Sequence, residues 1–399
     1  MKSQRRWTKY FAVLMFTATA FITGCGGGGS SSSASNNANL SNLIMSAGEF
    51  DQAFQSSQPD YTATVNFLTA TTTVTPTTAD TSATVTVNGT DVVSGTASES
   101  IPLDAGDTLI TVIVTAADGN STQTYTITVT RESANEFAQQ AYIKASNTGQ
   151  SDNFGYSVAL SGDTLAVGAV GEDSNATGID GNEDDNSRSN AGAVYVFTRS
   201  DSQWSLQAYV KASNTGNADL FGTSVALSGN TLAVGASGED SNATGIDGNE
   251  DDNSLNDAGA VYVFTRSDSQ WSQQAYIKAS NTDDSDLFGT SVALSGDTLV
   301  VGASSENSNA TGINGNENDN SLNDAGAVYV FTRSNTQWNQ QAYVKASNTD
   351  DSDLFGTSVA LSDDTLAVGA SGENSNATGI DGDQSDNSLN DAGAAYTFQ

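Results

Sequence analysis

Apolar and polar residues alternate in short runs along residues 40–130. The segments "YTATVNF", "ATVTVNG" and "QTYTITVT" each place a β-branched or aromatic residue at every second position. This period of two is typical of strands that bury one face. The dipeptides "NG" and "DG" between the runs are typical of hairpin turns. The pattern predicts about seven strands in about 90 residues, which is the size of an immunoglobulin-like β-sandwich.

This predicted sandwich has to rest on an apolar core, because Cys25 is the only cysteine of the chain and no internal disulfide is available. The residues that alternate in the predicted strands are the core candidates. They are Tyr61, Val65, Val85, Val87, Leu109, Val112, Val114, Tyr125, Ile127 and Val129.

A second pattern begins at residue 139 and repeats every 67 residues. Each unit contains segments close to "FGTSVALS", "TLAVGAS", "AGAVYVFTRS" and "WSQQAYIKAS". The aromatic residues that keep this spacing are Phe154, Phe221, Phe288 and Phe355, and Trp204, Trp271 and Trp338. Continuous apolar runs such as "LAVGA" and "AVYVF" indicate sheets that are covered on both faces. A period of this length, with four strands inside it, is typical of a β-propeller or a β array.

The two ends of the repeat region complement each other. Residues 139–146, "QQAYIKAS", form an outer strand before the first unit, whereas the last unit stops after "AGAAYTFQ" without one. Pairing of the two ends would complete a fourth blade, and we expect the ring to close in this way. The alternative is an array that is cut short.

Residues 1–24 have a basic start and then the apolar run "YFAVLMFTATAFI" of about thirteen residues. This run is too short to span a bilayer as a permanent helix and is typical of a cleaved export signal. The Gly/Ser-rich stretch that follows is typical of a flexible linker. The predicted organisation is therefore a signal peptide at 1–24, a linker at 25–38, a sandwich at 39–131 and the repeat region at 137–399.

Two N-terminal stretches resemble known families. The sequence "ITGC" resembles the bacterial lipobox, which implies a lipid-modified N-terminus at Cys25. The residue after Cys25 is Gly26 and not Asp, which by the same resemblance implies the outer membrane. We expect exposure at the cell surface, with a periplasm-facing position as the alternative. The segments "YTATV", "VTPTTADTSATVTVNGT" and "ITVIVTAADGNSTQTYTITVTR" resemble the cadherin-like β-sandwich domain of bacterial surface proteins. That resemblance implies a stalk or spacer module.

The repeat motifs "FG…VALSGDTLAVGA" and "GAVYVF" resemble the FG-GAP repeat, which builds the propeller of integrin α-subunits. Two departures matter. The proline of the family's GAP element is Val170 in the first unit and serine in the other three, and the family's D-x-D-x-D-G calcium loop is replaced by a tight "SGD", "SGN" or "SDD" turn. We expect an all-β chain with an N-terminal immunoglobulin-like β-sandwich, followed by a β-propeller of four FG-GAP-type blades, closed or partial, without the inherited calcium site.

Charge is distributed unevenly over this predicted propeller. The chain has 13 basic and 47 acidic residues and a net charge of -34, which would repel nucleic acid and anionic lipid. Connectors of an antiparallel blade alternate between its two ends. In the second unit one end carries only Asp268, and the other end carries Asp219, Glu239, Asp240, Asp247, Glu250, Asp251, Asp252 and Asp257.

The connector between the second and third strands of each unit is about 20 residues long, well above the usual 4 to 6. In the first unit it contains "GIDGNEDDN", with an oxygen-bearing side chain at every second position. Calcium takes six to eight oxygen ligands, so these loops are candidate calcium sites, with a weaker site in the Asn-rich third unit. The alternative is a solvated acidic loop. The candidate ligands are Asp180, Asn182, Asp184 and Asn186; Asp247, Asn249, Asp251 and Asn253; Asn314, Asn316, Asn318 and Asn320; and Asp381, Asp383 and Asn387.

Catalytic chemistry has little support in the sequence. The chain has no histidine and no thiol beyond Cys25, which excludes histidine-based triads, the usual zinc sites and thiol nucleophiles. Near-identical repeats form a symmetric surface, whereas glycoside hydrolysis needs one asymmetric pocket. We therefore expect no enzyme but a lipoprotein of the cell envelope that acts as a binding or adhesion module. Its acidic loops would bind calcium and engage a protein or glycan, and its membrane contact would be the lipid anchor at Cys25. The alternative is a structural envelope protein with solubilising loops.

Overall fold

The computed structural model describes residues 34–135 and 137–399, and over these residues the secondary structure is all-β. The predicted signal peptide and Cys25 lie outside the described residues. Within the described ranges, no helix of a length and apolarity sufficient to cross a membrane is found. The chain forms two compact units, with the division at Gln139/Gln140.

The first unit is a β-sandwich of nine short strands, two more than the sequence pattern predicts. The strands are β1 (Leu40–Met45), β2 (Asp60–Val65), β3 (Thr71–Thr72), β4 (Val74–Thr78), β5 (Thr84–Val87), β6 (Thr90–Val92), β7 (Ile101–Pro102), β8 (Gly106–Thr115) and β9 (Thr122–Arg131). The sheet order β2-β9-β8-β5-β6 has β2 parallel to β9 and the other pairs antiparallel, while β1 pairs with β4 and β3 with β7.

The predicted core of the sandwich is confirmed except at one position. Leu109 is 62% exposed, and Ile110 is buried in its place. Successive side chains of a strand point to opposite faces, so Leu109 cannot share a face with Val112 and Val114. The remaining nine predicted core residues are all buried.

The second unit consists of four sheets in sequence order, which we call blades 1 to 4. Blades 1 to 3 have four antiparallel strands each, a to d, and blade 4 has three. Their strands are β10 (Phe154–Ser161), β11 (Thr164–Ala169), β12 (Ala193–Ser200) and β13 (Gln203–Val210); β14 (Phe221–Ser228), β15 (Thr231–Ala236), β16 (Ala260–Ser267) and β17 (Gln270–Ile277); β18 (Phe288–Ser295), β19 (Thr298–Ala303), β20 (Ala327–Ser334) and β21 (Gln337–Val344); and β22 (Phe355–Ser362), β23 (Thr365–Ala370) and β24 (Ala394–Phe398).

The FG dipeptide joins each blade to the one before it. The buried Phe221 ring packs edge-on against Tyr262 of its own blade, with ring centroids 5.4 Å apart. Gly222 has a φ of 96°, which favours glycine, and its carbonyl accepts a hydrogen bond of 2.6 Å from Ser157 of blade 1. Blades therefore contact each other backbone to backbone along their a strands.

The expected closure of the ring is wrong for the described chain, and the propeller is partial. Residues 141–146, which we call the leading segment, form no strand, and β24 has no outer neighbour among the described residues. The residue before the leading segment does contact blade 1, because the Gln140 side chain accepts a hydrogen bond of 3.2 Å from Trp204. Gln207 of strand d in blade 1 accepts the same bond from Trp271 of blade 2. The leading segment is thus held at blade 1 as a strand d is held at the next blade, but it does not pair with β24.

Candidate functional site

The long connectors of neighbouring blades meet at one end of the sheets, as predicted; we call this end the loop face. The d-to-a connector that leaves blade 1 contacts the b-to-c connector of blade 2. The Asn214 amide donates a hydrogen bond of 2.6 Å to the carbonyl of Glu250, and the Ser213 hydroxyl donates one of 2.7 Å to its carboxylate. The same pairs recur one blade further on, between Asn281 or Ser280 and Glu317. The loop face is therefore a continuous, repeated surface.

In blades 1 to 3, the first half of the b-to-c connector pairs with strand d of the same blade. In blade 2, Asp247 donates its amide to the Tyr276 carbonyl at 2.8 Å, and Ile246 forms a β-bridge to Ile277. Gly245 accepts a hydrogen bond of 2.8 Å from the amide of Lys278. The connector thus pairs with the end of strand d at the outer edge of the blade through an isolated β-bridge.

The first predicted calcium ligand of each of these connectors is already engaged. The Asp247 carboxylate accepts the Tyr276 amide at 3.0 Å, and Asn314 accepts the Tyr343 amide at the same distance. Asp180 does the same for Tyr209. Sequence spacing gave no hint of this contact, because strand d lies about 30 residues further along the chain.

The other predicted ligands are exposed and do not converge. Asn182 accepts the amide of Asp184 at 3.4 Å, and Asp383 accepts the amide of Ser385 at 3.0 Å. Asn320 and Asn387 contact the carboxylates of Asp283 and Asp350. Over residues 34–135 and 137–399, no three Asp, Glu, His or Cys side chains come close enough together to hold a metal ion. In this arrangement the residues do not form a calcium cage, and calcium binding stays a prediction.

A neighbouring aspartate, which is not among the predicted calcium ligands, orders the tip of each connector. Asp252 accepts the amide and the hydroxyl of Ser254 at 3.0 and 2.6 Å, and the amide of Asn242 at 3.4 Å. These hydrogen bonds hold the pKa of Asp252 below its usual range. The bond from the Ser254 hydroxyl is the main cause, and those from the two amides add to it. The signal in the sequence is the repeated "DNS", since an aspartate two residues before a serine is a common local cap.

A buried ion pair lies beneath the loop face in each complete blade. Lys278 binds Glu239 at 2.9 Å, and both side chains are at most 1% exposed. Lys211 with Glu172, and Lys345 with Glu306, form the same pair. Two of the eight acids that the sequence analysis assigned to this end in the second unit, Glu239 and Asp219, are therefore buried and not solvated.

The same carboxylate also joins two blades. Glu239 accepts a hydrogen bond of 2.9 Å from Asn214, which comes from the connector that leaves blade 1, and one of 3.1 Å from the Ser241 amide. Burial lowers the pKa of Lys278, and the neighbouring Glu239 opposes this shift. Both carboxylate oxygens of Glu239 and the ammonium of Lys278 have hydrogen-bond partners. The pair therefore connects two blades and offers no free acid or base.

A second kind of buried acid lies in the d-to-a connectors. Asp219 accepts the Gly216 amide at 2.6 Å, and Asp286 accepts the Asp283 amide at 2.8 Å. Burial raises the pKa of Asp219 to about 7 and that of Asp286 to about 8, and nearby carboxylates add to the shift. These two carboxyl groups therefore change their charge near neutral pH.

An open cleft of about 690 Å³ lies between the b-to-c connectors of blades 2 and 3 and the outer strand β21. Its lining is rich in amides and includes Asn316, Asn318, Gln340 and Gln341 beside Trp338. Asn316, Asn318 and Gln341 are exposed. Their amides offer the cleft both hydrogen-bond donors and acceptors.

Comparison with protein families assigns both units. A model of the cadherin-like beta sandwich domain matches residues 33–132, and a model of the FG-GAP repeat matches residues 137–197, 204–264, 271–331 and 338–398. The chain belongs to the FG-GAP repeat family. The resemblances inferred from "YTATV" and from "GAVYVF" are thereby confirmed.

More distant comparisons of this FG-GAP repeat protein add little. A "Putative membrane protein" of Evansella cellulosilytica is 40% identical over 104 residues, which are 26% of this chain and 16% of that relative. The chain thus spans only a small part of the relative's length. A solved structure, Bacteroides ovatus mixed-linkage glucan utilization locus SGBP-B in complex with a mixed-linkage heptasaccharide, is 13% identical and covers 82% of this chain and 64% of that chain. Its TM-score of 0.13 indicates no common arrangement of the two chains.

Proposed function

We propose that this FG-GAP repeat protein is a binding module of the cell envelope whose loop face engages a protein or glycan ligand. The observation that carries the proposal is the loop face itself, where long exposed connectors are held rigidly by contacts between blades. Long loops on a rigid scaffold are where binding residues concentrate. Both matched families, a β-sandwich and a repeat array, fit a stalk that presents a head.

We further propose that the module is tethered at Cys25. The supporting features are the lipobox-like "ITGC" and the Gly/Ser-rich stretch after it. A relative that is described as a membrane protein is consistent with an envelope location. The C25A substitution should abolish metabolic labelling with palmitate and release the chain from the membrane fraction. Unchanged membrane association of the C25A chain would contradict the tether.

Ligand binding is tested with purified full-length chain and a panel of envelope polysaccharides and surface proteins. We expect a ligand whose affinity falls by roughly tenfold or more when the exposed cleft amides are removed in the N316A/N318A/Q341A variant. The matched control is D268N, which changes an exposed residue at the opposite end of the blade. Equal losses in both variants would contradict a binding role of the loop face.

Exposure on intact cells distinguishes the proposal from a purely structural role. Protease added to living cells should remove the head while periplasmic markers stay intact. A head that is protected until the outer membrane is broken would contradict surface adhesion and favour a structural envelope protein.

A further inference from the structure

Blade 4 leaves open the groove that an outer strand fills in the other blades. In blade 2, strand d pairs along the whole of strand c, from Val261 with Ile277 to Ser267 with Gln270. In blade 4, the corresponding strand β24 has no such neighbour among the described residues. The open groove measures about 690 Å³ and is lined by residues that include Glu373, Ile380, Tyr396 and Phe398.

Side chains along this groove lack the partners that their counterparts have. Ile380 is 93% exposed, whereas at the same place Ile246 of blade 2 is partly buried against the core and Ile313 of blade 3 is 60% exposed. Glu373 is 3% exposed and accepts a hydrogen bond of 3.0 Å from Asn348. It forms no ion pair with any residue in the described ranges, although the three equivalent glutamates each bind a buried lysine.

The leading segment carries the residues that this groove lacks. Residues 141–146, "AYIKAS", are identical to residues 275–280, which comprise the end of β17 and the buried Lys278. Yet Tyr142 is 82% exposed, whereas its counterpart Tyr276 is 2% exposed. Lys144 is exposed and, within the described residues, has no acidic partner at ion-pair distance. An apolar aromatic residue and a lysine are thus presented to solvent in the order in which strand d buries them.

Contacts with blade 1 fix the position of this segment. Gln140 accepts a hydrogen bond from Trp204, and Asn147 donates one of 3.0 Å to Glu172. Gln207 and Asn214, which flank the end of strand d of blade 1, make the same two contacts with blade 2. The leading segment therefore occupies the place of the outer strand of a blade that would precede blade 1, and only the rest of that blade is missing.

We propose that blade 4 of a second copy of this chain supplies the other three strands of that blade. The leading segment of each copy then becomes the fourth strand of the other copy's last blade. Lys144 of one copy then pairs with Glu373 of the other. The two ends are different surfaces, so the contact is head-to-tail, and such contacts form rings when the rotation closes. Two copies with four blades each give a ring of eight blades, which is within the range of four to eight that propellers adopt.

A second copy fits better than the chain's own blade 4 because β24 and the leading segment do not pair within one copy. Joining blade 4 to blade 1 of another copy repeats a blade-to-blade contact that the chain already makes three times, between β10 and β14, β14 and β18, and β18 and β22. No new kind of interface is required.

The test reverses the charge of one partner of the proposed pair at a time in the full-length chain. The measurement is the mass of the protein in solution. The wild-type chain should have twice the mass of one copy. The K144E and E373K variants should each dissociate, with the dimer weakened by roughly a hundredfold or more, because a buried ion pair becomes a like-charge pair. Mixing the two variants should restore the dimer, since in the mixed pair both contacts again join opposite charges.

Mixing separates the proposal from closure within one chain. If a chain closed on itself, both variants would stay monomeric when mixed, and only the K144E/E373K chain would recover stability; that result, or a wild-type monomer at all concentrations, overturns the proposal. Should E373K fail to fold, G369A serves instead. Gly369 faces no other blade within its own copy, and an added Cβ meets only the Ser358 hydroxyl, which can rotate away. G369A should therefore lower the melting temperature of the monomer only slightly and weaken mainly the dimer. A dimer of wild-type strength in G369A overturns the proposal as well.

Discussion

At the scale of single residues, the buried pair of Lys278 and Glu239 is the most sensitive point of the repeat. Removing one partner of such a pair leaves an uncompensated charge in the interior. Glu239 also accepts hydrogen bonds from Asn214 and Ser241. Removal of its lysine partner therefore disturbs contacts in two blades.

We therefore expect K278M to lower the free energy of unfolding by roughly 3 to 5 kcal/mol. The control is the K278M/E239Q double variant, in which both charges are removed and which should regain a substantial part of the loss. Urea unfolding of the three chains measures both values. A single variant as stable as the wild type would show that the pair contributes nothing.

The buried carboxyl groups of Asp219 and Asp286 make stability depend on pH. Their pKa values are about 7 and about 8 in the folded chain, above the ordinary 3.8. Between these limits the folded state binds more protons than the unfolded state, so the free energy of unfolding falls as pH rises from about 4 to about 8.

We expect Asp219 to contribute up to about 4 kcal/mol and Asp286 up to about 5 kcal/mol to this decrease, and D219N/D286N to flatten the profile. The asparagine oxygen can still accept the amide of Gly216 or Asp283, so the connectors keep their shape. Melting temperatures between pH 4 and 8 provide the measurement. A wild-type profile that rises over this interval would contradict the assignment.

At the scale of strands and connectors, glycine in "TLAVGA" sets the distance between blades. A Cβ atom on Gly235 of β15 would overlap the Gly289 carbonyl of blade 3 and the Ser224 hydroxyl. That hydroxyl donates a hydrogen bond of 2.7 Å to the same carbonyl. The interface between blades therefore has no room for a methyl group.

G235A should lower the free energy of unfolding by roughly 1 to 3 kcal/mol or more, because overpacking forces the backbones apart. In G369A the added methyl meets only Ser358 of the same blade, so the monomer should lose far less. Chemical unfolding of both variants under monomeric conditions tests the comparison, and equal losses would contradict it.

Calcium binding by the b-to-c connectors is best tested with a substitution that the chain itself contains. Asn314 stands where blade 2 has Asp247, and both accept the amide of strand d at 3.0 Å. D180N/D247N/D381N should therefore keep the fold while it removes charge from three connectors.

We expect millimolar calcium to raise the melting temperature of the wild-type head by several degrees, on the order of 1 kcal/mol per site, and that of the triple variant by much less. Magnesium at equal ionic strength is the control. A melting temperature that does not change between chelator and calcium would rule out the sites.

At the scale of the whole molecule, the net charge of -34 opposes the compact state by self-repulsion. Exposed acids of the connectors contribute to this repulsion, whereas buried acids such as Glu239 are neutralised by a lysine. The repulsion is therefore a surface effect and is open to screening by salt.

Raising sodium chloride from about 0.01 M to about 1 M shortens the Debye length from about 30 Å to about 3 Å. We expect the melting temperature to rise over this range, because screening relieves the repulsion among the connectors. Calorimetry at constant pH measures the change. A melting temperature that falls with salt would show that attraction between exposed charges dominates.

Local pattern was sufficient for most of the fold. The period of two, the apolar runs and the 67-residue repeat predicted the sandwich and the strands of each blade, because strand formation depends on which faces are buried. The error at Leu109 could have been avoided, since its position has the wrong parity for the face of Val112. One unit of the repeat predicts the others because each blade contacts mainly its neighbours.

Long-range contacts decided the rest. The amino-acid pattern alone specifies an all-β chain with four repeats and a loop face, since periodicity and connector order are local properties. Three features follow only from contacts in the folded chain: Asp247 accepts an amide of strand d, Glu239 is buried with a lysine, and the leading segment lies at blade 1 without pairing with β24. These outcomes depend on which residues, far apart in sequence, meet between strands and between blades, and no spacing along the chain encodes that.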